Sequence, residues 1–274
     1  MSSTVGQAPV NQGDGARALE NPVEETAETR SARSDTSWRT LVAQPVAILV
    51  VLAGFILWLS LAPLSATERT TLAPAALWTA TVEHLQLTFV AAGFVLAIAL
   101  PLGVLLTRRS FRYVSAPILA LANIGQAAPA IGLVVLLATF IVSGFWASIV
   151  ALVLYAALPV LRNTMIGIRG VDPRVVESAR GMGMSAPAVL FRIELPLAVP
   201  VMLAGIRTAL VLLVGTAALA AFVNGGGLGV LIVTGVSLYL YSVLVSGALL
   251  IALFALAIDW FARVVEHVVR PKGL

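Results

Sequence analysis

The sequence contains no cysteine, only two histidines (His84 and His267) and a single lysine, Lys272. Without cysteine there is no disulfide, no thiolate metal site and no cysteine nucleophile. Two histidines are too few for a histidine-rich metal centre, and no metal or cofactor is expected. Lys272 is followed by Gly273, so the chain has no Gly-Lys-Ser/Thr phosphate loop and does not hydrolyse nucleotide by that route. Paired carboxylates suited to intramembrane catalysis are also missing, and the expectation is a protein that is not an enzyme. Charge is scarce: 11% of the 274 residues are charged and 59% are hydrophobic, where soluble domains carry about 25% and about 45–50%. With a mean hydropathy of +1.00, the composition argues strongly against a soluble protein.

What the chain does have is apolar length. A helix needs roughly 20 apolar residues to cross a bilayer. Runs at residues 44–64, 85–107, 114–142, 145–161, 197–223 and 243–265 meet or approach that length. Residues 228–241 are apolar but too short to span, which suits a re-entrant or interfacial segment. The expected fold class is all-α, a polytopic membrane protein with about six transmembrane helices. Residues 1–40 hold acids and arginines with scarcely a large apolar side chain, and read as a disordered tail. Placing both termini inside puts fifteen of the basic residues on the cytoplasmic side, Arg69 outside and Arg207 within a span. That bias predicts a multi-pass protein of the cell membrane with N- and C-termini in the cytoplasm.

One inside loop, residues 162–195, carries five arginines and three acids. Asp172-Pro173 offers a helix cap and a proline at the first helical position. A helix over 175–182 would stop at Gly181 and Gly183. Ser185 would cap a second short helix to Glu194, and Pro196 would open the next span. Such a knob is either a solvated connector or a dock for a soluble motor.

Glu177-Ser178-Ala179, three residues, Gly183, nine residues, Ile193, one residue and Leu195-Pro196 resemble the EAA signature of ABC importer permeases. Ser178 stands where that signature has its first alanine. The likeness continues in His84-Leu85-Gln86-Leu87, Phe145-Trp146, residues 152–155, Leu158-Pro159 through Arg162-Asn163-Thr164, and residues 180–184. It also takes in residues 194–200, 204–208 and 225–229. These stretches resemble the osmoprotectant branch, whose members import glycine betaine, choline, carnitine or proline. Over about residues 80–260 the resemblance implies a MetI-like permease fold. It implies as partners a pair of ABC ATPase subunits, an external solute-binding protein, a second permease copy (identical or related) and membrane lipid. No nucleic-acid partner is implied. Glu177, Ser178, Ala179, Arg180, Gly183 and Met184 would form the ATPase-coupling surface. Methionine importer permeases share this loop and are the alternative. From a different class, a proton-coupled secondary carrier would place ionisable relays in its spans, and only Arg207 and Asp259 are clearly intramembrane.

The remaining candidates lie within or beside the spans. Arg207 sits about 16 Å along its helix from Pro196, and its guanidinium could reach the carboxylate of Asp259 in the last span. The two form either a structural ion pair or part of a gate. Asn123, Gln126 and Pro129 interrupt the third span, and either line a pathway or pack between helices. Thr208 adjoins Arg207. Asn224 and residues 225–227 end the fifth span, as a plain terminator or as an outer wall of the cavity. Glu83 and His84 are expected at the outer interface. Trp58, Trp78, Trp146, Tyr239 and Tyr241 fall near interfaces, as aromatic belts do.

Overall fold

In a bilayer, long runs of Leu, Val, Ala and Ile satisfy every backbone N–H and C=O within the segment only as helix. The computed structural model describes residues 38–141 and 144–269, and all regular elements among them are helical. They are α1 (Trp38–Leu61), α2 (Ala66–Thr71), α3 (Pro74–Leu106), α4 (Arg112–Ala127), α5 (Ala130–Phe140), α6 (Gly144–Arg169) and α7 (Pro173–Gly181). Next along the chain come α8 (Ala186–Val189), α9 (Leu195–Ala217), α10 (Gly229–Ser237) and α11 (Tyr241–Val269). Five helices are long and apolar enough to cross a membrane, or six when α4 and α5 count as one broken span. By contact the chain divides into Met1–Val42 and Ala43–Leu274. Of the described residues, the first unit holds the start of α1, and the helices from α2 to α11 belong to the second. The tail expected over residues 1–40 lies outside the described residues as far as residue 37, and its last three positions already belong to α1.

The centre of the fold is α3, α6 and α9. Gly103 near the end of α3 faces Thr164 near the end of α6, and Gly167 of α6 faces Ala198 near the start of α9. α3 and α6 therefore run parallel, with α9 antiparallel to both. Small residues permit this approach: a Cβ added at Gly205 of α9 would lie 2.5 Å from the Asn163 Cβ of α6. That is how helices associate where lipid offers no hydrophobic drive. Leu87, Val95, Leu106, Leu152, Val160 and Leu213 fill the seam. A second cluster of Leu72, Val214, Leu228, Leu231, Val243 and Ile251 seats α10 against α9 and α11.

Several boundaries differ from the sequence reading. The second span starts at Pro74, well before residue 85, and the short helix α2 precedes it, opened by a capping box between Ser65 and Glu68. The third span, expected over 114–142, is two helices bent by 100°; residue 142 lies outside the described residues. Its break is at Ala128-Pro129, where proline withholds a backbone donor. The fourth span runs on to Arg169 instead of ending at Leu161, because Arg162 and Arg169 find partners on neighbouring helices. The separate helix expected from Ser185 to Glu194 does not form. Residues 186–223 are one continuous 38-residue run, with a π-helical turn at Leu190–Glu194 leading into α9. Pro196 has no N–H for the preceding turn and would crowd its carbonyl. The wider turn accommodates the ring without ending the helix.

Candidate functional site

Three clusters hold the polar side chains that the apolar composition makes conspicuous. The first lies at the end of the bundle where α3 finishes. Asp172 caps α7, its carboxylate accepting the Arg174 N–H at 2.9 Å and pairing with the Arg174 guanidinium at 2.8 Å. That guanidinium and then the backbone N–H hold the Asp172 carboxyl below the usual carboxylate range. Pro173 occupies the first turn. α7 stops at Gly181 as the glycines predict: Gly183 has φ +84°, and the Met184 N–H donates back to the Ala179 carbonyl at 3.2 Å. These steps turn one face outward. Glu177, Ser178, Arg180 and Gly183 are exposed, Met184 is half-buried, and Ala179 is buried as the anchor. Met182, 77% exposed, adds an apolar tip. A cleft of about 430 Å³ runs between α7 and Ile193.

Behind α7, Arg108 at the end of α3 pairs with Glu194 of the π-helical turn, and Arg169 donates to the Leu106 carbonyl at 3.3 Å. Glu194 is 7% exposed, so this pair, which the sequence reading did not single out, ties the signature-bearing segment to α3.

The second cluster lies along α9. Arg207, Thr208, Val211, Leu212, Gly215 and Thr216 recur at helical spacing on one face and, with Asp259, line a cavity of about 510 Å³. Arg207 Nε is 3.8 Å from Asp259 Oδ1, but its shorter contact is Nη1 to Glu266 Oε2 at 3.1 Å. Asp259 also pairs with Arg263 one turn along α11, and Gln44 donates to it at 3.4 Å. The sequence reading saw a single pair; a network of four charges and an amide stands in its place. α11 extends to Val269, which sets Asp259 about 15 Å from that end at a rise of 1.5 Å per residue. Its contacts with Asp259 and Glu266 set Arg207 level with the last turns of α11. Asn123 accepts from the Arg162 guanidinium at 3.1 Å; Gln126 is half-buried and Pro129 exposed at the bend. None of these three lines the cavity beside Arg207.

The third cluster lies at the opposite end. Asn224 adopts φ +58°, a left-handed conformation that asparagine tolerates. Gly226 and Gly227 follow at φ +82° and +85°. The turn is not free at its tip: Glu83 Oε2 accepts the Gly227 N–H at 2.9 Å, and buried His84 binds the Val214 carbonyl through Nε2 at 3.0 Å. This corrects the expectation that Glu83 and His84 sit simply at the interface. Trp58, Trp78, Trp146, Tyr239 and Tyr241 are all exposed.

The family model described as "binding-protein-dependent transport system inner membrane component" matches residues 99–271. The glycine betaine/carnitine/choline transport system permease protein OpuCB of Bacillus subtilis (strain 168) is 39% identical over 192 residues, 70% of this chain and 88% of that protein. The osmoprotectant import permease protein OsmW of Salmonella typhimurium is 37% identical over 199 residues, covering 71% and 92%. Among solved structures, the inward-facing MetNI methionine ABC transporter matches with a TM-score of 0.63 at 26% identity, over 73% of this chain and all of that one.

Proposed function

The chain belongs to the family of binding-protein-dependent transport system inner membrane components, and from that membership we propose that it is the translocation subunit of an ABC importer for compatible solutes. The substrate class is glycine betaine, choline, carnitine or proline, and transport is driven by a separate ATPase pair. The observation that carries this reading is extended identity to osmoprotectant permeases over most of their length, joined to an exposed, capped helix at the signature residues. The methionine transporter shares the fold at lower identity, so the fold does not favour methionine over osmolytes.

In this reading the α7 end is cytoplasmic and the glycine turn faces outward, as the arginine bias requires. Glu177, Ser178, Arg180, Gly183 and Met184 form the surface that a cleft on the ATPase grips, with buried Ala179 fixing the helix beneath it. A push on α7 passes across the Gly183 turn into the continuous helix from Ala186, whose π-helical turn leads it into α9, and the Arg108–Glu194 pair carries it into α3. A second permease copy, identical or related, sets its own α9 face against this one. The translocation path then runs between the two rows from Arg207 to Thr216. The Arg207–Asp259–Arg263–Glu266 network holds α9 to α11 where that path narrows, and Asn123, Gln126 and Pro129 shape the bent span beside it. A solute-binding protein docks on the outer face. No residue here performs covalent chemistry; the work is alternate exposure of a path.

The test is uptake by the complete complex reconstituted in vesicles. Choline or glycine betaine is expected to accumulate with ATP and the binding protein present, and methionine is not. Methionine uptake without osmolyte uptake would reverse the substrate assignment.

A further inference from the structure

Helix α10 has no cap of its own. Leu228 precedes it and supplies no side-chain hydrogen bond to its first turn, whose Val230 and Leu231 N–H groups donate to the Gly227 and Leu228 carbonyls at 3.1 Å. The turn just before it is held from another helix. Glu83 of α3, 144 residues away in sequence, accepts the Gly227 N–H at 2.9 Å. Its carboxylate also lies at the positive end of the nine-residue α10 dipole. The glycines are shaped to this contact. A Cβ at Gly226 would stand 2.6 Å from Glu83 Oε2, and one at Gly227 3.2 Å from His84 Nδ1. One residue on, His84 fixes α3 to α9 through the Val214 carbonyl. The backbone hydrogen bonds of the turn, from Gly225 N–H to the Ala220 carbonyl at 2.8 Å and from Val230 N–H to the Gly227 carbonyl at 3.1 Å, are local. Among the described contacts, Glu83 is thus the one charged group that joins the turn to a neighbouring span.

We propose that Glu83 is the positioning residue of the outer gate: its hydrogen bond latches the turn and α10 onto α3, and breaking that bond opens the outer wall of the path. The inference rests on the importer reading for its sense of outside and path. The latch is a charged acceptor on a backbone donor, strong enough to hold the wall and broken without unfolding either helix. His84 stays beneath it as the fixed point about which the turn lifts.

The cysteine-free chain permits a direct test. Leu228 is fully buried beneath the turn, so Leu228→Cys introduces a single thiol in this subunit that reports opening. The whole complex, reconstituted with its ATPase and binding protein, is treated from outside with a membrane-impermeant maleimide, and modification of this subunit is followed by mass. Adding Glu83→Ala is expected to speed labelling by about ten- to a hundredfold, the factor for losing a hydrogen bond to a charged group. It should also raise ATP hydrolysis in the absence of binding protein, which a merely structural role would not do. Gly226→Ala, which displaces the same carboxylate from the other side, should act alike and carries the test if Glu83→Ala does not assemble. Glu83→Gln keeps the volume and an acceptor, and should label more slowly than Glu83→Ala. The latch is refuted by parent-rate labelling in assembled Glu83→Ala and Gly226→Ala complexes, or by Glu83→Gln labelling as fast as Glu83→Ala. Failure of the importer reading is separate: it appears as absence of ATP-dependent uptake in the parent complex.

Discussion

Asp259 is served by two arginines, Arg207 from α9 and Arg263 from its own helix, while Arg207 keeps Glu266 as a second acid. Removing either member therefore has unequal consequences. Arg207→Ala leaves Asp259 with Arg263 and unpairs only Glu266, close to the Val269 end of α11, whereas Asp259→Ala leaves Arg263 without its acid deeper along the helix, where an unpaired charge costs more. Asp259→Ala is expected to destabilise the purified permease by on the order of 2 kcal/mol and to cut its membrane abundance. Arg207→Ala should leave abundance closer to normal while transport falls or leaks. Thermal unfolding in detergent beside uptake per molecule separates the two; equal loss of stability would mean that Arg207 only braces the helices. Asp172 supports a second expectation. Its carboxyl is held low by Arg174, so the ionised cap stabilises α7 above the ordinary carboxylate range and that contribution is lost as pH falls through the depressed value. Amide exchange in α7 should show weakening protection on acidification, and Asp172→Asn should remove that dependence. At this scale the sequence was most legible where partners are adjacent, as in Asp172-Pro173-Arg174. Glu83 and His84 were misread because their partners lie 144 and 130 residues away, and no local pattern announces them. Arg207 and Asp259 were legible as a pair because any charge in an apolar span demands a partner; Glu266 was missed because the last helix was expected to end before it.

α7 is the element on which drive from outside the membrane would act, and its design is simple: an aspartate cap, a proline first turn, a buried alanine and a glycine stop. Ala179→Leu would force bulk beneath a 1% exposed position and tilt the helix, at a cost of about 1–3 kcal/mol for overpacking. Gly183→Ala would strain a residue at φ +84° by roughly 1–2 kcal/mol. Both variants should reach the membrane yet co-purify with less ATPase subunit. Undiminished co-purification would remove α7 from the coupling role. Start and stop of this helix were readable because capping and glycine geometry are local. The continuity of α8 through the π-helical turn into α9 was not, since a proline ordinarily signals a break and only the packed helix reveals the wider turn. The break at Pro129, by contrast, followed from the same rule applied where it holds.

Taken as a whole, the molecule divides its polarity by position. One end gathers α7 and the Arg108–Glu194 pair, the other gathers the glycine turn with Trp58, Trp78, Trp146, Tyr239 and Tyr241, and the α9 face from Arg207 to Thr216 lies between them. Span number and the helical class were legible from hydrophobic length alone, because a bilayer leaves the backbone few alternatives. The parallel and antiparallel packing of α3, α6 and α9 was not, since it depends on small residues meeting across helices. On the importer reading, this chain moves solute only when a separate ATPase drives it. The most direct measurement is choline or glycine betaine uptake into vesicles holding the permease and binding protein, with the ATPase subunit present or withheld. Accumulation is expected only with the ATPase and hydrolysable ATP, indifferent to an uncoupler. Uptake that persists without the ATPase and collapses when the proton gradient is dissipated would contradict that reading and make the chain a secondary carrier.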